Sequence, residues 1–402
     1  MTSTGRHAWT EVARALCIAA GLGLADLVAG PAARAQAGAA WRMTARLAIA
    51  GASVVAVAPD GALGAALVSR PASVVWIDLP SGRIAGRVRL PAPPRYATFA
   101  GDGHSLVVTY ADCAFGPEPC GDATTASIVA AGGRAVRTVA VGSGAGVVAP
   151  VGGGPDVLVA ASGAGTLDVL DSATGQVVRS FDVGSGVLNG VAVDATQGLA
   201  AVADATAGTV TFVNLTAGTV GPVGQVSYEI GGIAFHTGQP YLFAGQAQGE
   251  VVDILHTTDG SRPSDIGAVN GVGPLVYLPR EGVLAAGGLR DQTVAIIAIQ
   301  APAARDGQSA FGGVAQVPIG PPAAGAVGAL VPALADRALL AAAPHGLAVL
   351  TAPRFAVAQR FLPGALGGVP TQVATGDGAT ALVVAGTSVD VLAGPTVAAV
   401  HG

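Results

Sequence analysis

The sequence predicts an all-β fold, a β-propeller of four-stranded antiparallel blades, with eight blades favoured and seven as the alternative. Three observations carry this. Apolar runs of roughly four to eight residues, rich in Val, are cut by Gly, Pro, Asp and Thr, as in short buried strands joined by tight turns. Sixty glycines supply turn positions along the whole chain. A segment in which an apolar strand runs into a turn returns at Val55, Ala97, Val147, Val191, Ile233, Leu275, Gly328 and Gln372. The period, about 42 to 53 residues, is the length of one blade. The segment at Gly328 matches weakly, hence the seven-bladed alternative.

The N-terminus is read as a signal peptide over residues 1–37. Arg6 and Arg14 form a basic start, Ala15–Gly30 is apolar, and cleavage falls after Ala35 or Ala37. The apolar stretch is interrupted by Asp26 and falls short of the ~20 residues that span a bilayer. A periplasmic or secreted protein is expected, with residues 38–402 forming a single propeller domain. No later apolar run is long enough to cross a membrane, and a monomer is expected.

Within each unit the first strand is followed by a small-residue strand such as Val157 to Ala161 or Leu339 to Ala343. A third strand ends in a polar residue four positions before a glycine: Asp78 before Gly82, Asp171 before Gly175, Asn214 before Gly218 and His256 before Gly260. This is a hairpin with an Asp- or Asn-initiated turn in which glycine takes a positive φ, so His256 is explained by the turn. A fourth strand then leaves, as in Gln176 to Val183. A β-sandwich also has closely spaced strands, but it would not repeat two such columns at one period along the chain. Trp41 to Ile49 precedes the first unit and is read as an outer strand for the last blade. The last unit carries its own fourth strand at Thr396 to Val400, so the sequence leaves open which end closes the ring.

Two longer units mark insertions, at Asp112 to Thr125 and at Ala301 to Gly313. Cys113 and Cys120 flank a Gly/Pro loop in the first, and in an exported chain this pair reads as a disulfide. Asp112, Glu118 and Asp122 offer oxygen ligands for Ca²⁺, but they lack a regular calcium-loop spacing, so a stapled acidic loop is the favoured reading and no cofactor is predicted.

The chain has twenty basic residues, all Arg, which excludes Schiff-base lysines and the Gly-Lys-Ser/Thr phosphate loop. A formal charge of −5 with no basic cluster argues against nucleic acid as a partner.

The Pro59-Asp60-Gly61 turn, the V-x-V-x-D-x-x-T/S-G hairpin and the period together resemble the YVTN-type β-propeller repeat. That repeat is related to the propellers of quinoprotein amine dehydrogenase heavy chains and lactonases. The resemblance implies either a binding scaffold or an enzyme or enzyme subunit: a lactonase-like hydrolase, or the partner chain of a periplasmic redox dehydrogenase. The favoured reading is a non-catalytic module that binds a protein or small molecule on one face. No His-Glu-x-x-His or G-x-S-x-G element supports catalysis. The candidate channel-mouth residues precede the first strands: Ser53, Arg95, Asn189, Glu229, Asn270 and Thr371. His236, at a strand end, joins them.

Overall fold

The computed structural model describes residues 40–111, 123–299, 311–321, 325–376 and 378–395. Residues 1–37, read as a signal peptide, the Cys113 and Cys120 pair, the Asp112, Glu118 and Asp122 set, residues 301–310 of the second insertion and Thr396 to Val400 lie outside them.

The described residues form eight four-stranded antiparallel sheets, so the seven-bladed alternative falls. Seven blades run in chain order at 52–89, 96–140, 145–182, 188–225, 230–267, 272–318 and 329–361. The eighth takes its inner three strands from 370–393 and its outer strand from Arg42–Ala48, which pairs with Ser388–Ala393 in antiparallel register, Arg46 opposite Asp390. The N-terminal segment therefore closes the ring. Each inner strand touches the inner strands on both sides, and Ala52–Val57 of blade 1 meets Pro370–Thr375 of blade 8, which completes the circle.

The apolar runs of the middle strands follow from this stacking. Successive side chains on a strand point to opposite faces, and in a blade both faces are covered by neighbours. Ala66, Val68, Val75 and Ile77 of blade 1 thus pack with Leu382, Val384 and Val391 of blade 8. The residues between them, Ala65, Leu67, Val74 and Trp76, pack with Phe99, Leu106 and Val108 of blade 2. Outer strands have only one covered face and read as largely exposed, as in Gln176–Asp182.

The hairpin reading holds in detail. Gly82, Gly175, Gly218 and Gly260 have φ of 62°, 67°, 71° and 72°. Asp171 Oδ1 accepts from the N–H of Ala173 and Thr174 at 2.8 and 3.0 Å, and Asn214 Oδ1 from Ala217 N–H at 2.7 Å. At His256 the ring Nδ1 lies 2.7 Å from Thr258 Oγ1, and the turn is closed by Gly260 N–H donating to His256 O at 2.9 Å.

Near the axis the blades come so close that only backbone fits. A Cβ at Gly101 of blade 2 would stand 1.7 Å from the Gly152 carbonyl oxygen of blade 3.

Candidate functional site: a cleft between blades 3 and 4

Alternating strand direction divides the turns between two faces of the ring. First-to-second and third-to-fourth turns emerge on one, here the turn face; second-to-third turns and blade-to-blade connections emerge on the other, the connection face. Ser53, Arg95, Asn189, Glu229, Asn270 and Thr371, all at inner-strand starts, stand on the connection face. Those with hydrogen bonds each meet a different partner. Asn189 Nδ2 donates to Ile230 O at 2.8 Å, Glu229 Oε2 accepts from Gln248 Nε2 at 3.2 Å, and Ser53 Oγ lies 3.5 Å from Ser69 Oγ. Arg95 N–H donates to Thr109 O at 2.9 Å, Asn270 O accepts from Arg290 N–H at 3.1 Å, and Thr371 is exposed. Arg95 apart, no hydrogen bond among the described residues joins any two of them.

His236 lies on the opposite, turn face. It follows the inner strand Ile230–Phe235 of blade 5 and packs edge-on against Tyr277 of blade 6, centroids 4.8 Å apart, and beside Phe243 at 5.9 Å. It is buried, and its Nδ1 has no hydrogen-bond partner. Burial holds its pKa below the ordinary histidine value. His236 is thus wedged between blades 5 and 6, on the face opposite the six residues at the inner-strand starts.

Both cavities described here open on the turn face. The smaller, about 380 Å³, lies where the inner strands of blades 7 and 8 end, lined by Val331, Val373, Thr375 and Asp336. The turn beside it holds Leu334, Ala335 and Asp336 at φ of 52°, 49° and 71°, a left-handed run in which each residue costs about 1–2 kcal/mol.

The larger cavity, about 620 Å³, is a cleft between blades 3 and 4, of a size that suits a small ligand. Four turns build it. Val151 and Asp156 come from the first-to-second turn of blade 3, and Val169 and Arg179 from either side of its third-to-fourth turn; Ala195 and Leu215 come from the matching turns of blade 4. Strand alternation explains the grouping. Asp156 shares a sheet face with Leu158, whose core contacts are Leu188, Ala200 and Val202 of blade 4. In the ladder Asp156 is opposite Asp171, and Val169 is opposite Arg179, so all four project toward blade 4.

The electrostatics are unusual for a sheet. Two carboxylates directly opposite on neighbouring strands repel. Burial, then the Asp171 charge, push the Asp156 carboxyl above the usual range, with Arg179 opposing. Asp171 is held below that range, first by the backbone N–H of Thr174, then by its hydroxyl. The turn thus accounts for Asp171, but nothing in the fold accounts for Asp156, whose side chain accepts no hydrogen bond from the described residues.

The repeat supplies an internal control. The ladder pair at this position is Leu63 with Asp78 in blade 1, Ser105 with Ala130 in blade 2, Leu199 with Asn214 in blade 4 and Tyr241 with His256 in blade 5. In blades 6 to 8 it is Val283 with Ala298, Ala338 with Thr351 and Thr380 with Ala393. At this ladder position two acids face each other only in blade 3; Asp253 also faces Asp265, but between the third and fourth strands of blade 5. This departure from the repeat is the sequence signal that could have found the cleft, and a search for polar loop residues passes over it.

Among the described residues no group of three or more His, Cys, Asp or Glu is gathered as for a metal ion, and no helix is long and apolar enough to cross a membrane. No protein-family model matches the chain, and no curated protein does.

Proposed function

We propose that this protein is an exported, non-catalytic binding module of the YVTN-repeat type, periplasmic or secreted, that holds a small molecule or a short segment of a protein partner in the cleft between blades 3 and 4. One observation carries the reading: Asp156, a carboxylate with no structural partner, stands in a ligand-sized cleft at a position where the other seven blades place an uncharged residue. Perturbed titratable groups in clefts gather at functional sites. The repeat scaffold meets its packing needs elsewhere, so a residue that works against its own strand pair is retained for something outside the fold.

Ligand-observed NMR with a fragment set, run on the wild type and on Ala195→Trp, tests it. Ala195 is exposed at the cleft rim, so the indole fills the mouth without disturbing the core. The reading requires binders whose signal disappears in the variant. If no fragment is sensitive to the variant, the cleft is not a binding site. A stoichiometric divalent metal in the purified protein, measured by mass spectrometry, would instead favour the enzyme alternative.

A further inference from the structure

Resting on the cleft as the binding site, we infer that its ligand is a small zwitterion, an α-amino acid or short peptide with an apolar side chain, its ammonium group on Asp156 and its carboxylate on Arg179.

Blades 2 and 3 carry an arginine at matching places on their outer strands, and the two are engaged differently. Arg137 of blade 2 caps the hairpin turn of blade 3 fully, donating to Thr174 O at 2.8 Å, Ser172 O at 3.0 Å and Ala173 O at 3.3 Å. Arg179 of blade 3 makes one such bond, to Leu215 O of blade 4 at 2.6 Å. A guanidinium has five N–H donors in a planar fork suited to a carboxylate. Arg179 therefore keeps donors at the cleft wall that Arg137 has committed to carbonyls.

Asp156 and Arg179 do not neutralise each other directly, since no ion pair between them occurs among the described residues. They stand two strands apart and two residues out of register. With ordinary strand spacing this separates their Cα atoms by roughly 12 Å. Val169 lies on the same sheet face between them, and Val151 and Leu215 add apolar surface. The cleft thus presents an acceptor at one end, a donor fork at the other and an apolar floor between.

Charge balance selects the ligand class. Asp156 and Asp171 are matched locally by Arg137 and Arg179. A simple amine would leave Arg179 without an anion, and a simple carboxylate would leave Asp156 without a cation. A molecule with no net charge and its two charges separated satisfies both.

The test is calorimetric titration of the full chain with L-leucine and L-leucyl-L-leucine, against N-acetyl-L-leucine, which lacks the cation, and L-leucinamide, which lacks the anion. At least one zwitterion is expected to bind, and each blocked form to bind at least about tenfold more weakly. Asp156→Asn should abolish the discrimination against the acetyl form, and Arg179→Gln that against the amide; Asp156→Asn is isosteric, Arg179→Gln shortens a solvent-exposed side chain, and circular dichroism checks the fold. Blocked forms that bind as well as the zwitterions overturn the inference. So does failure of all four probes while other fragments still bind in an Ala195→Trp-sensitive way, a result that leaves the cleft standing as a site. If no probe or fragment is sensitive to Ala195→Trp, both readings fall together.

Discussion

Replacing Asp156 by Leu, the residue that blades 1 and 4 carry at this position, is expected to stabilise the protein while abolishing binding in the cleft. The acid faces Asp171 across the ladder, and like charges directly opposite cost up to about 1 kcal/mol. The sign can be worked from titration. The Asp156 carboxyl is raised in the fold, so the native state binds its proton more tightly than the unfolded chain does. Its contribution to stability is therefore full at low pH and is lost as pH rises through the folded value, leaving a net cost at neutral pH. Asp156→Leu should gain up to about 1 kcal/mol at pH 7, and the gain should shrink as pH falls toward 4. For about 330 described residues an unfolding entropy of about 0.7 kcal/mol per kelvin turns this into a rise in Tm of about 1.4 °C. Scanning calorimetry at several pH values measures it, with Asp156→Asn separating loss of charge from gain of apolar surface. Asp171→Ala should behave oppositely, because it removes the oxygen that accepts from the turn N–H groups of Ala173 and Thr174. The reasoning fails if both Asp156 variants melt below the wild type at pH 7, or if their difference from it does not depend on pH.

Three further outcomes follow from the same structure. Asp390 is fully buried and accepts from Arg46 Nε at 2.9 Å and Gly367 N–H at 2.9 Å, so Arg46→Ala should cost about 2 kcal/mol, discounted because Arg46 is itself partly exposed; hydrogen exchange should rise first in Arg42–Ala48, and unchanged exchange there would refute the clasp. Gly101→Ala sets a methyl against the Gly152 carbonyl and should destabilise by more than about 2 kcal/mol, whereas Gly153→Ala, with open space around its Cβ, should be nearly neutral in the same melt. The folded pKa of His236 is depressed, so its contribution is present above the unfolded value near 6.5 and is lost as pH falls below it; His236→Phe should flatten the acid limb of Tm against pH just below about 6.5, and an unaltered limb would exclude His236 as its source.

The sequence by itself determined the features that are local. Unit boundaries, the first and third strands, and the glycines at positive φ were legible because turns and the two-residue alternation of a strand are written within a few neighbouring residues. Gly82, Gly175, Gly218 and Gly260 occupy the predicted conformation for that reason. The double burial of the middle strands was legible too, as runs without polar alternation. What only the tertiary structure decided depends on where separate blades meet. Arg42–Ala48 rather than the C-terminal segment completes blade 8, because its strand can pair with Ser388–Ala393 only once the ring has brought the two ends together. The six polar residues at the inner-strand starts share one face and His236 packs against Tyr277 on the other, because the parity of strand direction sets the face and neighbour packing sets the contact. The cleft combines Asp156, Arg179, Ala195 and Leu215 from four turns of two blades, a grouping that spacing along the chain does not express. Its one sequence trace is an acid where the repeat elsewhere places an uncharged residue, a signal read across blades and not along them.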